Sequence, residues 1–287
     1  MLCFGKLCRS DCSLQSERYA IGGLKMRITV FGNNATCPEA DGACASYLVE
    51  AAGKKILLDM GSGSIAKIRQ ELDLARLDLI VISHLHFDHF GDLFCAKYHL
   101  ETRKAYGEKF PPIPLLIPKL PQWAKAELSG NDVFEIHPIS DGDAFELENV
   151  HLEFVEMVHL IESYGIRITA EGKTLAYSGD TGICEGLRTV AAGADAFLCE
   201  ATFCGENRAE EKHHLSAGTA AKIAADAGIQ QLFLTHYHSD QSENVLEEAQ
   251  CFFADAKLTH IGQTFLINSD NSQQHAGLHE NQQGIML

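Results

Sequence analysis

No stretch of this chain approaches the roughly 18 consecutive apolar residues that a membrane-spanning helix requires, so the sequence offers no membrane anchor. The opening MLCFGKLCRSDCSLQSERYAIGG lacks a sustained apolar core and does not read as a secretory signal. Basic residues are scarce: 23 Lys and Arg stand against 39 Asp and Glu, a net charge of −16. Nucleic-acid binding draws much of its affinity from cations that neutralise phosphates. A chain this acidic has no general attraction for a polynucleotide, and only a local basic patch would supply one. Ten cysteines occur, yet none forms a Cys-x-x-Cys pair, which argues against a thiolate zinc framework. They read as reduced thiols of a cytoplasmic protein. Cys3, Cys8 and Cys12 have no assignable task, and most of the others lie in apolar contexts, where free Cys acts as a small hydrophobe. There is no short repeat and no low-complexity segment.

What is present is ordinary for a globular protein: 46% hydrophobic and 22% charged residues over 287 positions, enough for one large domain with a substantial core. Met26 opens the first clear strand. Residues 1–25 are expected to be a loosely attached extension or a surface arm, residues 26–268 one domain, and residues 269–287 a polar tail. Strands are expected over 27–32, 45–51, 55–60, 79–83 and 115–117, then over 144–147, 151–158, 164–170, 174–178, 196–200, 231–235 and 264–267. Helices are expected over 64–71, 91–98, 120–128, 182–192, 216–227 and 242–253, with Ser216 as an N-cap. The second half repeats the order of the first, antiparallel strands followed by strand–helix units. That order implies two sheets with helices on their outer faces.

The decisive feature is His84-Leu85-His86-Phe87-Asp88-His89, directly after the buried-strand run Leu79-Ile80-Val81-Ile82-Ser83. A turn at a strand end holds side chains rigidly, as a site of fixed geometry needs. Imidazole and carboxylate are good ligands for zinc-like ions, and four of them within six residues are more than one tetrahedral ion can conveniently take, so the spacing hints at two ions.

This hexapeptide resembles the signature of the metallo-β-lactamase superfamily, and the other elements of that family follow in order. Ile56-Leu57-Leu58-Asp59-Met60-Gly61 is similar to its first motif, in which Asp59 would orient the metal loop by hydrogen bonding. Val158-His159 followed by Ser163-Tyr164-Gly165-Ile166-Arg167 resembles the third, Ser178-Gly179-Asp180-Thr181 the fourth, and Leu232-Phe233-Leu234-Thr235-His236 the last. His238, two residues on, competes with His236, which is preferred because it ends the apolar run. The resemblance implies an α/β fold, a four-layer αββα sandwich of two mixed sheets. It also implies two metal ions, zinc with manganese or iron as alternatives: His84, His86 and His159 around the first, Asp88, His89 and His236 around the second, and Asp180 joining both. Several class B β-lactamases carry Cys where this chain has Asp180, which argues against β-lactam hydrolysis.

Two further stretches resemble the ribonuclease Z branch: Leu198-Cys199-Glu200-Ala201-Thr202-Phe203 and His214-Leu215-Ser216-Ala217. The resemblance implies His214 as general acid oriented by Glu200, with His213 a solvated neighbour. It also implies Asp88 as proton acceptor and a water activated between the ions for attack on phosphorus. Bacterial tRNA-processing relatives carry a basic arm between the third and fourth motifs, whereas here only 20 residues, 160–179, intervene. The expected substrate is therefore a small anionic phosphodiester or nucleotide rather than tRNA. Thioester or lactone hydrolysis, tRNA 3′-processing and non-catalytic metal binding are the alternatives, and a homodimer is left open. The segment between Leu93 and Asn149, with Lys97, Arg103, Lys104, Lys109 and Lys119 beside Pro111, Pro112, Pro114, Pro118 and Pro121, reads as a lid or as a solvated loop–helix connection.

Overall fold

The computed structural model describes residues 26–130, 132–205 and 212–267. The extension expected over 1–25 and the tail expected over 269–287 lie outside the described residues. In the first half, β1 (Arg27–Gly32), β2 (Ser46–Ala51), β3 (Lys54–Leu58), β4 (Leu79–Val81), β5 (Ile113–Ile117) and β6 (Phe134–Pro138) alternate with α1 (Ser64–Glu71), α2 (Phe87–Phe90), α3 (Leu93–Ala105) and α4 (Gln122–Leu128). The second half runs through β7 (Ala144–Leu147), β8 (Val150–Glu156), β9 (Tyr164–Ala170) and β10 (Lys173–Tyr177). It continues with α5 (Glu185–Ala191), β11 (Ala196–Glu200), α6 (Ala217–Asp226), β12 (Gln231–Thr235), α7 (Ser242–Gln250) and β13 (Lys257–Leu258). The last strand, β14 (Thr264–Leu266), returns to the edge of the first sheet beside β1. The two sheets are seven-stranded, in the orders β14-β1-β2-β3-β4-β5-β6 and β13-β12-β11-β10-β9-β8-β7.

The turns explain the matched halves. Ala52-Gly53 joins β2 to β3, and Glu171-Gly172 joins β9 to β10, with φ of 48° and 79° in the first pair and 53° and 74° in the second. Two consecutive left-handed residues make the tight hairpin whose twist matches that of paired strands. Thereafter both halves switch to parallel strands linked by helices, β3 to β6 and β10 to β13.

Alternate residues along each strand face opposite ways, and the apolar sequence serves both directions. Ile56, Leu58, Leu79 and Val81 face the other sheet and meet Ile166, Leu175, Tyr177, Leu198 and Phe233 between the sheets. Leu57, Ile80 and Ile82 face outward onto Ile68, Leu93, Ala96 and Leu100 of the first helical layer. Phe197, Cys199, Leu232 and Leu234 do the same beneath α5, α6 and α7. Fully burying one such side chain contributes about 1.5–3 kcal/mol, so three continuous apolar layers hold the four-layer αββα sandwich together.

One sequence expectation needs correcting here. The stretch 93–149 is neither lid nor loose connection: α3, β5, α4 and β6 complete the first sheet and its helical layer, with Leu100, Ile113, Leu115, Leu128 and Val133 fully or almost fully buried. Pro111, Pro112, Pro118 and Pro121 flank its strands and helices, whereas Pro114 lies within β5 and Pro138 ends β6. Three of the seven described cysteines, Cys37, Cys95 and Cys251, are exposed, and all seven are free thiols. Ser216 caps α6 as expected, its side chain accepting from Thr219 N–H. Among the described residues no helix is long and apolar enough to cross a membrane.

Candidate metal centre

Parallel strands place their carboxyl ends at one edge, and here both sheets do so at the same end of the sandwich. Asp59 follows β3, His84 follows β4, Asp180 follows β10, Glu200 ends β11 and His236 follows β12. Backbone contacts close this end across the two sheets: His84 bridges Ser163, and Tyr164 N–H donates to Ser83 C=O at 3.0 Å. The turn after β4 then lies against Gly61, where an added Cβ would fall 1.9 Å from Asp88 C=O. Only glycine permits that approach, which is why an Asp-x-Gly run serves here.

Two sets of donor atoms converge, each with its members within 4.8 Å of one another: His84, His86, His159 and Asp180, and Asp88, His89, Asp180 and His236. Asp180 is common to both. His84 Nε2 and His159 Nε2 each lie 3.1 Å from His86 Nδ1. Nitrogens bonded to one tetrahedral zinc at about 2.0–2.1 Å would lie about 3.3 Å apart, close to what is seen.

The opposite ring nitrogens are held by protein groups, and this assigns their protons. Ser83 Oγ donates to Asp59 Oδ2 at 2.8 Å and so accepts from His84 Nδ1–H at 3.1 Å. His89 Nδ1–H donates to Asp59 Oδ2 at 2.7 Å, and His159 Nδ1–H to His213 C=O at 2.8 Å. Thr202 Oγ1 donates to Glu200 Oε2 at 2.7 Å and accepts from His236 Nδ1–H at 2.9 Å. Four imidazoles thus turn Nε2 inward, the arrangement that outer hydrogen bonds impose on metal-binding histidines. His236 itself has φ of 54°, a left-handed conformation that is rare for a side-chain-bearing residue and concentrated at functional sites.

Electrostatics agree with this. Burial, reinforced by its histidine neighbours, holds His84 well below the ordinary imidazole range, and burial likewise lowers His86 and His159. These three are therefore neutral donors. Asp88, although burial opposes it, is lowered to about 2 by the neighbouring His236 and His89. For His89, Asp180 and Asp59 overcome burial and raise it well above the ordinary range, so this nitrogen keeps a proton that a metal ion would displace. His89 Nε2 and Asp180 Oδ1 are enclosed and make no hydrogen bond; they lie 3.3 Å apart but misaligned for one. Buried carboxylates without cations are costly. Orphaned donor atoms, several buried carboxylates and inward-facing imidazoles fit a divalent metal.

Beside this centre stands a third group, Glu200, His214 and His236. His214 Nδ1 lies 3.2 Å from both Glu200 oxygens, and its ring stacks on that of His236 at 5.5 Å. Burial would lower His214, but Glu200 and then Asp180 raise it to about 9. Glu200 is itself held by Thr181 N–H at 2.7 Å and Leu215 N–H at 3.1 Å.

All nine sequence candidates therefore meet at one end of the fold: His84, His86, Asp88, His89, His159, Asp180, Glu200, His214 and His236. His238 does not; it is exposed. His213 is no mere solvated neighbour, because its carbonyl orients His159. Sequence reasoning missed Thr202, which links His236 to Glu200, although it lies inside a segment already singled out. It also missed two tyrosines that cross between the sheets. Tyr177 O–H donates to Asp59 Oδ2 at 2.6 Å, and Tyr47 and Thr235 share a 2.6 Å hydrogen bond, with the rings 5.5 Å apart. Nothing in their local sequence marks either one.

Comparison with known proteins gives the same assignment. The sequence profile described as the Beta-lactamase superfamily domain matches residues 54–237. An uncharacterized protein of Mycobacterium tuberculosis, Rv1339, is 33% identical over 80% of this chain and 88% of its own length. The Ribonuclease Z of Mycobacterium avium is 28% identical over 74% of this chain and 86% of its own length. Among solved structures, YhfI of Bacillus subtilis, a metallo-beta-lactamase fold protein, superposes with a TM-score of 0.79 at 22% identity, covering 84% of this chain and 99% of its own. The short form of human tRNase Z superposes at 0.68 with 21% identity, covering 85% of this chain and all (100%) of its own. A diphosphatase of the PhnP family does so at 0.65 with 21% identity, covering 84% and 97%. At such identities the structural likenesses speak for the fold. Taken with the matched profile and the converging donor atoms, they make this chain a member of the β-lactamase superfamily and a metal-dependent hydrolase.

Proposed function

We propose that the protein is a dinuclear zinc-dependent phosphodiesterase acting on small phosphodiesters, with His84, His86 and His159 at one ion, Asp88, His89 and His236 at the other, and Asp180 shared. Manganese or iron would suit the same donors. Bound there, the ions would supply Lewis acidity for activating water and for offsetting charge on phosphoryl oxygens. The observation that carries the reading is the Glu200–His214 pair at the rim of the two donor sets, His214 Nδ1 lying 3.2 Å from the carboxylate. A departing alkoxide needs a proton. His214, raised to about 9, holds one at neutral pH and has Nε2 free to deliver it, while Glu200 keeps the ring in position. Asp88, ionised down to about pH 2, is available to accept the proton of the attacking water.

A thiolate leaving group needs no such acid, which ranks thioester hydrolysis lower. Relatives named ribonuclease Z and a structural neighbour named a diphosphatase lend support. The span from His159 to Asp180 is largely the β9–β10 hairpin, leaving no room for an arm that grips tRNA. Together with the −16 net charge, this favours a small substrate. The test is a panel of bis(p-nitrophenyl) phosphate, thioesters and lactones with and without chelator. Chelator-sensitive phosphodiester turnover is expected, and preferential thioester turnover would overturn the assignment.

A further inference from the structure

Phe87 occupies the position between His86 and Asp88, yet its side chain is 63% exposed. Its backbone is pinned: Phe87 C=O accepts from Ser62 Oγ and from Gly91 N–H, and no Cβ would fit at Gly91 beside those atoms. Above it stands Trp123, the only tryptophan of the chain, 51% exposed on α4. Its ring centroid lies 6.4 Å from that of Phe87 and 5.8 Å from Phe94, onto which it stacks at 23°. Phe90, buried in the first helical layer, anchors the group from below, with its ring 5.5 Å from both Phe87 and Phe94. An aromatic ladder therefore climbs out of the core and ends in two rings on exposed residues, one of them the residue between two candidate metal ligands.

We infer that Phe87 and Trp123 form a stacking platform for a nucleobase, so that the phosphodiester substrate is a nucleotide. This rests on the phosphodiesterase reading and narrows it. Exposed flat π-surfaces on a rigid backbone suit a planar heterocycle, because every base has a face to stack and stacking is indifferent to its edge pattern. Phe87 is joined by one peptide bond to each of two candidate metal ligands, His86 and Asp88, which suits a ligand carrying a phosphate close to its base. The net charge of −16 suits one short enough not to need a basic track.

Because the chain holds one tryptophan, its fluorescence reports on the platform directly. Full-length metal-loaded protein would be titrated with AMP and, separately, with ribose 5-phosphate. Saturable quenching by AMP is expected, with none from ribose 5-phosphate. Phe87→Leu should weaken the AMP response roughly tenfold. Both side chains are more than half exposed, so the variants should fold. In parallel, thymidine 5′-(p-nitrophenyl phosphate) would be compared with methyl p-nitrophenyl phosphate, which has the same leaving group and no base. Trp123→Leu and Phe87→Leu should lower the preference for the nucleoside ester roughly tenfold, through KM, and Trp123→Phe should restore most of it. Equal quenching by both phosphates, or equal losses on both esters, overturns the platform. So does fluorescence that follows protein concentration and ignores nucleotide, since a second copy would then cover the rings. AMP quenching without hydrolysis of either ester would keep the platform and sink the phosphodiesterase reading. Hydrolysis without AMP quenching would do the reverse.

Discussion

In the first half of the sandwich one turn after β4 delivers His84, His86, Asp88 and His89 within six residues, whereas in the second half His159, Asp180, Glu200, His214 and His236 come from separate loops and strand ends. The strand plans are the same, but the contributions differ. The first half contributes a prefabricated arc, its shape set locally by Gly61 and by Asp59, which accepts from Ser83 N–H, Ser83 Oγ and His89 Nδ1. The second half contributes single residues whose convergence depends on the register of β10, β11 and β12. It also brings the proton-handling pair, which the first half lacks. Metal capture is thus divided between the halves, while leaving-group chemistry belongs to the second alone.

The strongest way to break this division is Asp180→Ala, which removes the one donor common to both sets. The variant should lose metal at both positions and fall below detectable turnover. His84→Ala or His236→Ala should each lose one equivalent, as elemental analysis would record. Next in size is His214→Ala, which should keep its metal while turnover of alkyl phosphodiesters falls about 10²–10⁴-fold. The loss should be much smaller with p-nitrophenolate, which departs without a proton. A uniform loss across leaving groups would remove His214 from the acid role.

A smaller effect is expected beneath the centre. Tyr177→Phe leaves Asp59 without a 2.6 Å donor and should weaken the ion held by Asp88, His89 and His236 about 10–100-fold, with little change at the other. Loss of this buried hydrogen bond to a carboxylate, which keeps Ser83 Oγ and His89 Nδ1 as donors, should also lower stability by about 1–3 kcal/mol, measurable by denaturant titration. Tyr47→Phe should do less to metal affinity, because its partner Thr235 only precedes a donor residue. The pair therefore tests whether cross-sheet hydrogen bonds tune the ions or only hold the sheets.

The same contrast explains what could be read from the sequence. The first-half turn is contiguous, so its four donors stand out as letters, and the strand Leu79–Ser83 before it is unmistakable. The second-half residues were found through resemblance, one short motif at a time. Residues whose role is to hold others were the ones missed. Tyr177 meets Asp59 across 118 positions and between sheets, and His213 acts through a backbone carbonyl that no side chain advertises. Strand β6 was missed because Phe134-Glu135-Ile136-His137-Pro138 is half polar and ends in proline, features tolerated at a sheet edge, where this strand lies. The 93–149 stretch was misread because lysines and prolines hid the apolar positions that α3, β5 and α4 bury.

The most direct measurement is elemental analysis of the purified full-length protein, paired with phosphodiester turnover before chelation, after chelation, and after zinc is restored. Two equivalents of divalent metal, loss of turnover on chelation and recovery with zinc are the expected result. Metal-stripped protein that still cleaved phosphodiesters at the full rate would contradict a catalytic centre built on Asp180 and its six partner ligands.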